Sequence, residues 1–129
     1  MVVDSSAVMS VLRRESDAPA LAAAIEEAEV RLISAGTVLE LGMLAESRGT
    51  AGARELDDFL YRSQFEIVAF DAEQATLARE AFRRFGKGRH PARLNFGDCI
   101  VYALSKASGE PLLFKGDDFA KTDVEIYPR

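Results

Sequence analysis

Asp4, Glu40, Asp98, Asp117 and Asp118 lie far apart in the chain, yet each falls where a strand ends or a helix begins. Carboxylates gathered without a catalytic histidine or thiol suit metal-assisted hydrolysis: a bound ion lowers the pKa of a water and neutralises charge on the substrate. Hard cations such as Mg²⁺ take oxygen ligands, typically one or two carboxylates with waters completing the shell. Each acid also has a purely local explanation. Thr37-x-x-Glu40 matches a helix capping box, and Asn95 followed by Asp98 matches an N-cap with an acid in the first turn. Asp4 can cap a first helix, and Asp117-Asp118 can make a turn. Asp98 is the hardest to reduce to capping. Its helix is apolar almost all round, with Phe96, Ile100, Ala103 and Ala107 on one face and Cys99, Val101, Tyr102 and Leu104 on the others. A carboxylate at the start of so central a helix risks burial, and burial calls for a cation or several donors.

The elements that position these acids follow from apolar spacing and cap signals. Residues 1–3 read as a short strand and 7–14 as a helix with Val8, Val11 and Leu12 on one face. Asp17 reads as a second N-cap with Pro19 in the first turn of an Ala-rich helix to residue 28. A strand is expected over 30–34, a helix over 37–48, punctuation at Gly49 and Gly52, and a helix over 53–62. Residues 65–70 read as the clearest strand, and Asp71-x-x-Gln74 opens a helix to residue 85. A Gly- and Pro-containing basic loop spans 86–94, then a helix 95–108 closes at Gly109. Strands over 111–114 and 124–127 complete the chain, with a turn at 116–118. Strands alternating with helices predict one α/β domain over residues 1–129, a mostly parallel sheet flanked by helices on both faces. In such a sheet the carboxyl ends of the strands collect the chemistry, and all five acids belong on that rim.

Net charge is 16 − 21 = −5 over 129 residues. Removing the five acids brings it to −5 + 5 = 0, so the excess acidity equals the cluster. Arg79 to Arg93 holds six basic residues against Glu80, a stretch of +5 that leaves −10 elsewhere. Bulk electrostatics therefore oppose wrapping a polyanion, while one local stretch favours it. The longest apolar run, Cys99 to Leu104, is six residues, well below the roughly 20 a membrane helix needs. With one cysteine and Asp4 interrupting any secretory leader, a cytoplasmic setting is expected.

The segments V-V-D-S-S-A at the N-terminus, Glu40 in the third helix, N-F-G-D-C-I-V-Y-A-L and L-L-F-K-G-D-D-F-A-K-T-D together resemble a PIN-domain ribonuclease, more narrowly a VapC-type toxin of a bacterial toxin–antitoxin pair. The resemblance covers essentially the whole length. It implies a PIN-like α/β/α sandwich in which Asp4, Glu40 and Asp98 hold Mg²⁺ or Mn²⁺. Asp118 is the fourth acid in the family register, with Asp117 as its substitute, and Ser5 and Ser6 match small polar residues that orient the first acid. Asp4 and Asp98 would be the main ligands, with Glu40 and Asp118 binding a second ion or orienting the water as general base. The implied substrate is RNA cut endonucleolytically in single-stranded or loop regions. The implied partners are a VapB-type antitoxin whose C-terminal segment blocks the acidic site and a second copy in a homodimer. Ala-, Leu- and Val-rich helices near the N-terminus suggest an apolar groove for a partner helix.

Among the remaining residues, Lys87, Arg89 and Arg93 in the loop are candidates for phosphate binding. Arg79 and Arg83 can form a solvated i, i+4 face. His90 is expected to be exposed or hydrogen-bonded, Cys99 a small core residue, Asp71 an N-cap, and Phe114 and Phe119 packing. Two rivals remain. A phosphoacceptor receiver domain would use Asp71 and Lys115, and a silent binding module would keep the fold without catalysis.

Overall fold

Alternation along three short strands decides which side of the sheet each helix covers. The computed structural model describes residues Met1–Arg129. Strands β1 (Val2–Val3), β2 (Leu32–Ser34), β3 (Glu66–Val68) and β4 (Leu112–Leu113) form one parallel sheet in the order β3-β2-β1-β4. Val2, Leu32 and Leu112 point to one face and join a buried cluster with Ala78, Ala81 and Phe85 of α5 (Ala72–Phe85) and most of α6 (Phe96–Ser108). Their neighbours Val3, Ile33 and Leu113 point to the other face. There they meet α1 (Ser5–Leu12), α2 (Ala18–Glu27), α3 (Ala35–Glu46) and α4 (Gly49–Arg62). Residues of period 2 thus feed two apolar cores, one above and one below the sheet. The result is the α/β/α sandwich expected from sequence. No helix is long and apolar enough to cross a membrane.

The parallel order has a consequence for position. From β1 the chain moves one way to β2 and β3, and later returns to add β4 on the other side. The switch point therefore lies between β1 and β4, where ligands collect in open α/β sheets. The helices α1 and α3 start where β1 and β2 end, and α6 starts at the same rim before running back to β4.

Several elements depart from the sequence reading. Gly52 does not break the chain: α4 runs through it, because the missing side chain allows close packing on α3, where a Cβ would stand 2.7 Å from the Ala45 carbonyl oxygen. The Asp17 side chain accepts no cap hydrogen bond from α2. Its carboxylate accepts from Ser10 and pairs with Lys115 and Arg129, and the Ser10 bond leads the causes that lower its pKa to about 2. Residues 124–127 make a single parallel bridge, Ile126 to Leu112, instead of a strand. Finally, residues 65–70 shorten to an exposed edge strand of three residues.

The contact at Gly52 reverses an ordinary expectation. Gly→Ala inside a helix normally stabilises by about 1 kcal/mol. Gly42 of α3 has no atom within 4 Å of a built Cβ, so Gly42→Ala should follow that rule. Gly52→Ala should instead destabilise by about 1–3 kcal/mol through overpacking. Thermal unfolding of the two variants checks the opposite signs.

Candidate active site

Asp4 ends β1 and caps α1. Its Oδ2 accepts the Ser6 backbone N–H at 3.0 Å, and the residue is only 4% exposed. The Ser6 hydroxyl in turn accepts the Lys115 N–H at 2.9 Å, which ties the first turn of α1 to the chain leaving β4. Burial raises the Asp4 pKa, the Glu40 charge raises it further, and the donors of Ser5 and Ser6 oppose both.

Asp98 completes a capping box with Asn95. The Asn95 side chain accepts the Asp98 N–H at 2.9 Å, and Asp98 Oδ2 accepts the Asn95 N–H at 3.0 Å. The local explanation for Asp98 is therefore correct, and it is incomplete. The box engages Oδ2 and leaves Oδ1 available. The carboxyl pKa is pushed up to about 7, first by burial and then by the charges of Asp4, Asp118 and Glu40. Those three charges place all four acids in one electrostatic neighbourhood. Asp118 belongs to it and Asp117 does not figure in it. Asp118 also makes no side-chain cap to the 3-10 turn Phe119–Lys121 that follows it. Of the two adjacent acids, Asp118 is the one whose charge acts on Asp98.

Glu40 is not a cap. The helix α3 begins at Ala35 with Ser34 as its N-cap, accepting from the Gly36 N–H at 3.1 Å. Thr37 is consequently the third residue of the helix and Glu40 the sixth, so the expected capping box is corrected: neither residue stands at the N-cap. Ser34 wins because it ends β2 with extended backbone, the geometry an N-cap requires. Released from capping, the Glu40 carboxylate lies against Gly97 at the start of α6, where a Cβ would stand 2.6 Å from Oε2. A second glycine, Gly36, admits Ile100 in the same way, with contacts of 3.1 Å to a built Cβ. These two close approaches bring α3 and α6 together at the rim. Thr37 is a residue that the sequence reading did not assign to the site. Its hydroxyl is buried without a hydrogen-bond partner and lines the groove that also contains Glu40.

Asp4, Glu40, Asp98 and Asp118 form no ion pair with any lysine or arginine. Four like charges, partly desolvated and without a protein cation, fit the donor set of a hard divalent ion. No three His, Cys, Asp or Glu side chains converge closely enough, as placed, to hold one ion by themselves. An ion that takes one or two carboxylates and keeps its waters suits that spacing, whereas a closed protein cage does not.

The candidate substrate residues divide. Ser5 and Ser6 stand beside Asp4 in the first turn of α1. In the basic loop, Arg89 reaches over the Phe82 ring, 5.5 Å from its centroid, and lines a groove between α5 and α6. Lys87 and Arg93 are exposed and do not line that groove. His90 accepts the Ala92 N–H at 3.0 Å and packs edge-on to Phe85, Cys99 is buried with its thiol pushed up to about 11, and Phe114 packs T-shaped on Phe119. Asp71 caps α5 through the Gln74 N–H. The receiver alternative fails on topology, since Asp71 follows β3 and Lys115 follows β4, the two opposite edges of the sheet. Lys115 is moreover paired with Glu15 and Asp17. The helices α1 and α2 bury their apolar faces, so the grooves lie elsewhere, between α3 and α6 and between α5 and α6.

Comparison with known proteins agrees with this arrangement. A family profile described as PIN domain matches residues 1–125. The chain is 52% identical over 125 residues to Ribonuclease VapC of Mycolicibacterium smegmatis, covering 96% of this chain and 97% of the relative. Among solved structures, a toxin–antitoxin complex from Klebsiella pneumoniae superposes with a TM-score of 0.75 at 18% identity, over 99% of this chain and 97% of that one. Mycobacterium tuberculosis VapC20, described as a sarcin-ricin loop cleaving toxin, superposes with a TM-score of 0.73 at 20% identity, over 98% of each chain. At those identities the two structures speak for the fold.

The crowding of carboxylates has a signature in stability. Asp98 titrates near 7 in the folded protein, against an ordinary value of 3.8. A raised carboxyl pKa means the folded state holds the proton more tightly, so stability is highest below about pH 4 as far as this group is concerned and falls as pH rises through 7. Without divalent ions, Asp98→Asn should therefore unfold later than wild type at pH 7.5, by about 2 kcal/mol after allowance for solvent screening of a partly buried group. The advantage should vanish at about pH 4, because Asn keeps the cap acceptor in both conditions. Urea unfolding at the two pH values measures it.

Proposed function

Since this chain belongs to the PIN-domain family, and within it to the VapC ribonucleases, we propose that it is an endoribonuclease that hydrolyses RNA phosphodiester bonds with Mg²⁺ or Mn²⁺. We further propose that it acts as the toxin of a toxin–antitoxin pair, as one nuclease domain over residues 1–129. The observation that carries this reading is the Asp98 carboxyl, pushed up to about 7 by burial and three neighbouring carboxylates, with no protein cation to offset them.

Asp4 and Asp98 are the main ligands in this reading, with Glu40 and Asp118 completing the donor set. The ion, when bound, supplies charge neutralisation at the phosphate and a more acidic water. The chain's own residues do the positioning. The Ser6 N–H fixes one Asp4 oxygen and the Asn95 N–H fixes one Asp98 oxygen, so each carboxylate is held in a single rotamer with part of its oxygen surface turned to the site. Gly97 provides the space in which the Glu40 carboxylate sits, within reach of a water that it orients as general base. The Ser6–Lys115 bond holds the loop carrying Asp118 at its distance from Asp4.

Partners follow from two further surfaces. A VapB-type antitoxin covering the acidic site, and a second copy of the toxin, are supported by the toxin–antitoxin complex among the structural neighbours. They are also supported by Leu39 and Met43, which are 65% and 67% exposed on the groove between α3 and α6. That groove contains no basic side chain, which favours a protein occupant over RNA.

Total bacterial RNA incubated with wild type and Mn²⁺ or Mg²⁺ should acquire discrete new ends, absent with EDTA and reduced by about a hundredfold or more in Asp98→Asn. Equal cleavage by wild type and Asp98→Asn, or cleavage that persists in EDTA, would overturn the assignment. No cleavage by either, with binding intact, would leave a silent binding module. A second variant tests placement without touching a ligand. Gly97→Ala forces the Glu40 carboxylate away, and cleavage should fall by up to about a hundredfold while thermal stability changes little.

A further inference from the structure

Beside the carboxylates lies a groove of about 700 Å³ between α5 and α6 whose lining differs from the rest of the surface. Three aromatic rings line it, Phe70, Phe82 and Phe96, and three guanidinium groups, Arg79, Arg83 and Arg89. Phe96 is 85% exposed at the first position of α6, an unusual place to leave a large ring in water. The arginines have no charged partner, although Arg89 reaches over the Phe82 ring. None of the three forms an ion pair, and none donates a side-chain hydrogen bond within the protein. Neighbouring Arg84, by contrast, is engaged by Asp123 at 3.3 Å.

The groove also adjoins the chemistry. Phe96 and Ile100 line both it and the groove between α3 and α6 that contains Glu40, so the two meet at the start of α6. Exposed rings with free guanidinium groups are how single-stranded nucleic acid is held without sequence readout: bases stack on the rings and phosphates meet the cations. Charge complementarity selects this occupant, because the chain carries −5 overall and three of its free cations surround this one groove.

We propose that the α5–α6 groove is the seat of an unpaired nucleotide flanking the scissile bond, with Phe96 as the stacking face, Phe82 backing Arg89, and Arg79, Arg83 and Arg89 on the adjoining phosphates. The proposal rests on the ribonuclease reading and assigns the residues that hold the nucleotide beside the cut. Phe96 and the three arginines are binding residues and take no part in bond breaking.

The test uses a short single-stranded RNA of mixed sequence containing a fluorescent adenine analogue, titrated with the full-length protein in EDTA so that nothing is cut. Stacking should quench the fluorophore. Phe96→Ala should lose the quench and weaken binding by about tenfold, whereas Phe96→Tyr should keep both. Arg79→Gln with Arg83→Gln should retain the quench but lower the slope of log K against log salt by about 0.7 for each lost phosphate contact. Quench and affinity unchanged in Phe96→Ala would overturn the proposal. So would a Phe96→Ala variant that binds RNA normally but changes its mass in sedimentation, which would make the groove a protein interface. If wild type cleaves RNA and these variants bind as wild type does, the groove assignment alone falls. If wild type neither binds nor cleaves RNA, the ribonuclease reading falls and takes this proposal with it.

Discussion

Bringing Asp4, Glu40, Asp98 and Asp118 to one rim imposes both repulsion and desolvation, and no ion pair of the chain relieves either. Much of the local architecture can be understood as a way of tolerating that load. Two of the four acids are helix caps, so each accepts a backbone N–H and faces the positive end of a helix dipole, an effect of about 0.3–1 kcal/mol apiece. These contacts reduce the penalty without removing it, because the Asp98 carboxyl still titrates near 7. The remaining instability is carried by the two apolar clusters on either side of the sheet. A loss of a few kcal/mol is tolerable only because those cores are continuous and densely buried. Fold and site are therefore in tension, and an external cation is the simplest agent that relieves it.

The sheet order determines why the tension arises at this point. Asp4 follows β1 and Asp118 follows β4, and these strands flank the switch point. The two α-helical acids reach the same place from opposite layers, Glu40 from α3 and Asp98 from α6. Helices from opposite faces can meet only at the rim, beyond the end of the sheet, and only if their side chains are small there. Gly36 against Ile100 and Gly97 against Glu40 meet that condition. A bulkier residue at Gly36 would press on Ile100, and one at Gly97 would displace the Glu40 carboxylate from the cluster.

How much of this was legible in the sequence depended on whether the decisive contact was local. Asp98 could be read because its helix is apolar on every side, which made its burial a consequence of pattern alone. The strand and helix order followed from periodicity, and with it the rim on which the acids lie. Glu40 was harder: Ser34 and Thr37 both offer cap chemistry, and only the end of β2 at Ser34 decides between them. Asp17 looked like an N-cap, but a lysine and an arginine about a hundred residues away claim it. The bridge at Ile126 read as a strand because its residue types suit one, while only the single pair with Leu112 forms. The role of Phe96 was not visible in sequence. An aromatic at apolar spacing is ordinarily core, and only the packing of α5 on α6 shows that this ring remains outside.

Two groups of cations on this chain differ in how they are engaged, and the difference bears on how a protein with a net charge of −5 presents a surface suited to a polyanion. Arg84 and Lys106 meet at Asp123, which also accepts from Tyr102, and together they lock α5 and α6 to the C-terminal segment. Lys115 and Arg129 meet at Asp17 and fasten the loop after β4 to α2. These charges are neutralised within the fold and contribute little field outside it. Arg79, Arg83 and Arg89 have no such partners and all line one groove, which converts a small local excess into a directed one. Among the acids, Asp17 and Asp123 brace the frame, while Asp4, Glu40, Asp98 and Asp118 have no cationic partner. Free negative charge thus lies beside free positive charge along the first turns of α6. A phosphate chain laid there would meet cations on one side, and would meet the carboxylates favourably only once a divalent ion had reversed their local sign.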